Sequence, residues 1–216
     1  DANIKQAAIT CVTSRLINSG QSCVAAKRFI VVEEVYEAFV YEFTALMKEK
    51  VMGDPFEELT DIGPLARVDL RDSIHKQVQE SVKKGAKITL GGTIPDRKGA
   101  FYPVTILENV QKGMPAYHEE LFGPVASIIK VKNEEEAIEV ANDSIYGLGA
   151  AIFSENVEHV ESIVAERLHA GCCFVNELVK SDPRLPFGGI KHSGYGRELG
   201  LFGIHEFVNT KTIYIS

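Results

Sequence analysis

A single cysteine, Cys23, follows the turn Asn18-Ser19-Gly20-Gln21-Ser22, where a helical pattern stops at a glycine. A thiol delivered by such a turn sits beside backbone N–H groups that favour its thiolate, the form that attacks electrophilic carbon. A thiol after a glycine also suits plain packing, so two other stretches matter. Glu119-Glu120-Leu121-Phe122-Gly123-Pro124-Val125 sets two carboxylates and an aromatic ring just ahead of an apolar run, where loops build sites. The stretch from Pro186 to Glu198 is too rich in glycine for a regular element, which implies close backbone approach. Its spacing is not that of a dinucleotide fingerprint and no Lys-Ser/Thr follows, so a phosphate cradle does not explain it.

The elements that must position these residues are legible from periodicity. Ile4, Ala8, Cys11 and Leu16 mark a first helix, ended by Ser19-Gly20, and Lys27 to Val32 reads as a buried strand. Tyr36, Phe39, Val40, Phe43, Leu46 and Met47 share one helical face. Leu70, Ile74, Val78 and Val82 mark another helix, which leads through Gly85 into a strand over Lys87 to Leu90. Phe101 to Leu107 is extended and Val125 to Val131 is a strand. Asn133 caps a helix whose first turn is Glu134-Glu135-Glu136. A strand over Gly149 to Phe153, a helix over Val157 to Leu168 and a strand at Cys173 to Val175 continue the alternation. That order predicts an α/β fold with a largely parallel sheet, and ligands at the carboxyl ends of its strands. Thr210 to Ile215 alternates as an exposed strand in need of a partner.

Composition narrows the classes. The 216 residues are 45% hydrophobic and 25% charged with a formal charge of −7, enough for an ordinary core. That charge, without a basic stripe, argues against nucleic acid and anionic membrane as partners. No apolar run approaches a membrane span and no secretory pattern opens the chain, which predicts a cytoplasmic protein. Four cysteines, two adjacent as Cys172-Cys173, are expected to be reduced thiols. His169 before that pair has no second ligand motif to join, so no metal is expected.

Taken together, Asn18-x-Gly20-Gln21-x-Cys23, Glu119-Glu120-x-Phe122-Gly123-Pro124 and Pro186-Phe187-Gly188-Gly189-x-Lys191-x-Ser193-Gly194-x-Gly196-Arg197-Glu198-Leu199-Gly200, in this order, closely resemble the motifs of the aldehyde dehydrogenase superfamily. Gly91-Gly92, Tyr102-Pro103-Val104 and Tyr146-Gly147-Leu148 fill the gaps, so the resemblance runs the length of the chain. It implies the family's C-terminal part. The expected division is a catalytic domain of three-layer type over residues 1–187, a glycine-rich segment over 188–209 returning toward a cofactor domain, and a terminal oligomerisation strand over 210–216.

The implied chemistry is oxidation of an aldehyde through a thiohemiacetal and thioester on Cys23, with hydride passing to NAD or NADP. By motif match Glu120 would hold the nicotinamide ribose and Phe122 would pack beside the nicotinamide, while Arg197 and the glycines would be architectural. The family's general-base glutamate, its oxyanion asparagine and its cofactor domain would lie upstream of Asp1, so this chain alone is expected to be inactive. The wording from Asn176 to Leu185 resembles bacterial and archaeal succinate-semialdehyde dehydrogenases. Arg184, with Ser181 adding a hydrogen bond, would then pair with the substrate's distal carboxylate. Some of those enzymes carry an arginine six residues before the nucleophile, where this sequence has Ile17. The intact protein is expected to be a homodimer or tetramer. Two other classes fit parts of the sequence: a non-catalytic fragment or binding module of this fold, and a cysteine hydrolase, which would need a histidine beside Cys23.

Overall fold

A computed structural model describes residues 1–216. Helix α1 (Ile4–Leu16) starts at Asn3, whose Oδ1 accepts the Gln6 N–H at 3.1 Å. After a short left-handed turn, strand β1 (Arg28–Val32) runs straight into α2 (Glu33–Lys48) with no loop between them. The acidic pair Glu33-Glu34 in that first turn suits the positive end of the helix, so α2 starts three residues before the first apolar residue of its stripe. Next come α3 (Val68–Lys83), the edge strand β2 (Lys87–Leu90) and β3 (Thr105–Glu108). A short α4 (Pro115–His118) then leads to β4 (Val125–Val131) and α5 (Glu134–Asn142), which Asn133 caps as expected, its Oδ1 accepting the Glu136 N–H at 3.0 Å.

These four strands form one sheet in the order β1-β4-β3-β2. The largely parallel sheet expected from the sequence is in fact mixed. β1 pairs parallel with β4 and β4 with β3, while β2 runs antiparallel to β3 with a register shift between Ile88 and Leu90. The reason is topological: Gly91-Gly92 begins the connection that reverses the chain from β2 into β3, and no helix lies between them to carry a crossover. β4 is buried along its length except at Lys130, as befits a strand paired on both sides.

Each face of the sheet carries its own apolar cluster. One joins Phe29, Val31, Ile106, Ala126 and Ile128 to α1 and α2, with Phe43 and Met47 fully buried. The other joins Leu107, Val125, Ile129 and Val131 to Ile74 and Val78 of α3 and to Tyr117 of α4. The alternation of strand side chains therefore feeds two cores, and the loops between strands and helices are held from both sides.

The remaining strands form two small sheets. β5 (Tyr146–Gly147) pairs antiparallel with β8 (Ile190–Lys191), and β6 (Gly149–Ile152) pairs parallel with β7 (Cys172–Val175) across α6 (Val157–Glu166). A six-residue α7 (Gly200–His205) follows. The strand expected over Thr210 to Ile215 does not form: these residues are exposed and join no ladder. Its alternating pattern is real, but a strand needs a neighbouring edge, and these residues pair with none of the strands of this chain. No helix is long and apolar enough to cross a membrane.

Candidate active site

Asn18, Ser19 and Gly20 all have left-handed backbones, with φ of 49°, 54° and 77°. Only glycine adopts this region freely, and asparagine tolerates it better than serine does, so the turn must be held from outside. It is. The Gln21 N–H donates to the Asn18 carbonyl at 3.0 Å and the Asn18 amide donates to the Gln21 carbonyl at 3.0 Å, closing the turn on itself. Ser19 Oγ accepts the Gly63 N–H at 3.2 Å and Gln21 Oε1 accepts the Ala66 N–H at 2.8 Å, fastening it to the loop before α3. Cys23 emerges from this clamp with its side chain exposed.

Gly20 also brings the second motif to the first. A Cβ there would lie 2.2 Å from the Gly123 carbonyl oxygen and 3.0 Å from the Pro124 nitrogen, so only glycine lets the cysteine turn and the Phe122-Gly123-Pro124 segment touch. Arg15 completes the join. Its side chain is 1% exposed, and it donates from Nη2 to the Gly20 carbonyl at 2.9 Å and from Nη1 to the Val125 carbonyl at 3.3 Å. Burial pushes the Arg15 guanidinium down to about 10, offset in part by Glu120, so it stays charged at neutral pH.

Around this join the acids divide. Glu119 Oε2 accepts from Gln77 Nε2 at 2.8 Å, which ties it to α3. The Glu120 carboxylate has no hydrogen-bond donor within the chain; its nearest partner is Lys27 Nζ, 3.9 Å from Oε1. Leu121 points into the core, and Phe122 turns its ring outward, 41% exposed. A free carboxylate and an open aromatic face therefore lie two residues apart, on a segment pinned to the thiol-bearing turn.

The other predicted residues lie elsewhere. Arg184 donates from Nε and Nη2 to the two oxygens of Asp182 at 2.9 and 2.6 Å, and its side chain is 84% exposed. Ser181 is exposed as well. Neither bonds to the Cys23 turn or to the Glu119–Val125 segment. The Arg184 guanidinium holds the Asp182 carboxyl well below the usual carboxylate range. In the glycine-rich stretch Arg197 Nη1 donates to the carbonyls of Gly189 and Gly196 at 2.9 and 2.7 Å, and Phe187 and Glu198 exchange backbone hydrogen bonds at 2.8 Å.

Sequence reasoning missed Arg15, yet a signal was there. Ile4, Ala8, Cys11 and Arg15 are spaced four, three and four apart, so the arginine falls on the apolar stripe of α1, where Leu16 was expected. It also missed Lys27 as anything more than a strand start, and no local pattern reveals that contact.

Fold and site define an α/β protein with a mixed sheet that presents an exposed thiol on a clamped turn, joined to a segment bearing a free carboxylate. The aldehyde dehydrogenase family profile matches residues 1–213, and the chain belongs to that family. It is 47% identical to an aldehyde dehydrogenase of Paenarthrobacter nicotinovorans and 47% identical to a probable NADP-dependent succinate-semialdehyde dehydrogenase of Synechocystis. A crystal structure of succinic semialdehyde dehydrogenase from Streptococcus pyogenes in complex with NADP+ superposes on it with a TM-score of 0.95 at 44% identity. Each of the three comparisons covers 100% of this chain and 47% of the relative. The chain thus spans about half the length of the curated relatives it matches.

Proposed function

We propose that this chain is the thiol-bearing half of an NAD(P)-dependent aldehyde dehydrogenase, with Cys23 as its nucleophile. The observation that carries this is the clamp on the cysteine turn: Arg15, Gly63 and Ala66 bond to Gly20, Ser19 and Gln21, and the turn that bears the exposed Cys23 lies through Gly20 against Gly123, on the segment that also carries Glu120 and Phe122. The layering fits, with helices covering both faces of the sheet in the manner of a three-layer catalytic domain. The proposed extent of that domain is residues 1–187.

Cys23 Sγ adds to the aldehyde carbon, forming an S–C bond and placing the negative charge on the former carbonyl oxygen, which backbone N–H of the turn stabilises. NAD or NADP, when bound, accepts the hydride lost from that carbon. A thioester remains on Cys23, and water cleaves it to the carboxylic acid and the free thiol. The general base and the second oxyanion donor come from the half of the family fold that this chain does not span.

The residues on hand suit the nicotinamide end of such a cofactor. A carboxylate without an internal donor accepts ribose hydroxyls, and an outward aromatic ring offers a face to the nicotinamide; Glu120 and Phe122 supply these. Substitution of Cys23 by alanine in a polypeptide carrying the complete family fold should lower aldehyde oxidation by about three orders of magnitude or more. Retention of activity within tenfold would dismiss Cys23 as nucleophile.

For the substrate, relatives named as succinate-semialdehyde dehydrogenases favour an aldehyde with a distal carboxylate. Arg184 is the candidate clamp, with Ser181 beside it. Its fork is taken by Asp182, so the substrate carboxylate would compete for the same two nitrogens. Arg184→Ala should raise KM for succinate semialdehyde far more than for an uncharged aldehyde, and equal effects would remove Arg184 from the substrate site. We also propose a cytoplasmic homo-oligomer. The exposed apolar side chains of Leu201, Phe202, Ile204, Phe207 and Tyr214 support it, since residues 210–216 have no partner within the chain.

A further inference from the structure

We propose that Lys27 is the positioning residue for Glu120, fixing the carboxylate in the orientation that meets the cofactor ribose. This inference rests on the assignment of Glu120 to the cofactor made above and adds a residue that the motifs do not contain. The main chain of Lys27 is anchored by the sheet, its carbonyl accepting the Ser127 N–H at 2.9 Å just before β1 begins. Its side chain is 23% exposed, and the ammonium lies 4.7 Å from the centroid of the Tyr146 ring on one side and 3.9 Å from Glu120 Oε1 on the other. The aromatic face attracts the cation and limits where it can go.

The distance to Glu120 gives the arrangement its use. At 3.9 Å the two groups attract each other without a direct hydrogen bond, so the carboxylate is oriented while both oxygens stay free to accept from a ligand. Glu119 shows the contrast: its carboxylate already accepts from Gln77. Arg15 adds a second, immobile positive charge, fixed by the Gly20 and Val125 carbonyls. Between them the two cations attract and aim the Glu120 carboxylate, and only Lys27 has a head group free enough to adjust when a ligand arrives.

The test is a double-mutant cycle on the complete family fold, read as the Kd of NADP+ and of NAD+ by titration calorimetry. Lys27→Met keeps the stem and removes the charge. It should weaken the preferred cofactor about five-fold, and Lys27→Arg should recover most of the loss. Glu120→Gln should weaken it as well, and in the double variant the lysine change should cost nothing further, because its effect acts through the carboxylate. Additive losses, or no loss in Lys27→Met, would overturn the role of Lys27 while leaving Glu120 in place. Unchanged affinity in Glu120→Gln would instead overturn the cofactor assignment on which the inference rests, and the inference with it. If Lys27→Met does not fold, Lys27→Gln carries the same comparison.

Discussion

The Asn18–Cys23 turn and the Ser181–Arg184 loop are both short, polar and placed between regular elements, yet they are held in opposite ways. Two strained residues of the first are tied to distant parts of the chain, Ser19 to Gly63 and Gly20 to Gly123 and, through Arg15, to Val125, while Asn18 closes the turn on Gln21. The side chains of the second are satisfied locally, Arg184 closing on Asp182 two residues away and otherwise facing solvent, and one backbone bond, from the Gly200 N–H to the Pro183 carbonyl at 3.1 Å, ties the loop to α7. Long-range ties fix the thiol-bearing turn against the sheet, whereas a local side-chain pair leaves an arm that can exchange its partner.

Three changes would break or sharpen this contrast. Gly20→Ala has the largest expected effect. Its Cβ would overlap the Gly123 carbonyl oxygen at 2.2 Å on a backbone of φ +77°, so we expect a loss of roughly 2–5 kcal/mol by denaturant unfolding. A loss below about 0.5 kcal/mol would show that the two motifs can separate freely. Next, Arg15→Met removes the donors to both carbonyls and should cost roughly 1–3 kcal/mol. Arg15→Lys should recover only part, since an ammonium lacks the fork that spans two acceptors. Equal stability of the two variants would make the charge, not the bridge, the important feature.

Arg184→Ala should have the smallest effect, with no resolvable change in Tm. Its signature is in titration. Asp182 is depressed in the folded chain by the Arg184 side chain first and by the Arg184 N–H second. The pair's contribution is therefore present above the ordinary carboxylate pKa of about 4 and is lost as the pH falls below it. In the variant, carboxyl carbon shifts should show Asp182 titrating nearer that ordinary value. An unfolded Arg184→Ala chain would end the contrast between the two loops.

Much of this was legible beforehand. Val125 to Val131 alternates like a strand and forms one over those bounds, and Asn133 followed by three acids reads as the helix cap it is. Cys23, Glu120 and Phe122 were named from motifs, and the structure sets their segments against each other through Gly20 and Arg15. The antiparallel direction of β2 goes against the largely parallel sheet expected; its one signal is the connection from Gly91 to Pro103, which holds no helix to carry a crossover. The fate of Thr210 to Ile215 was not legible, since alternation specifies a strand without supplying its neighbour.

By itself, the sequence determined which segments are apolar on which side, where α5 starts, and that one thiol follows a glycine turn. Those features depend on residues a few positions apart. Tertiary structure alone decided that Gly20 lies on Gly123, that Arg15 is buried with its guanidinium across two carbonyls, and that Lys27 faces Glu120. These contacts span about a hundred residues of chain, and only the pairing of β1 with β4 brings their ends together.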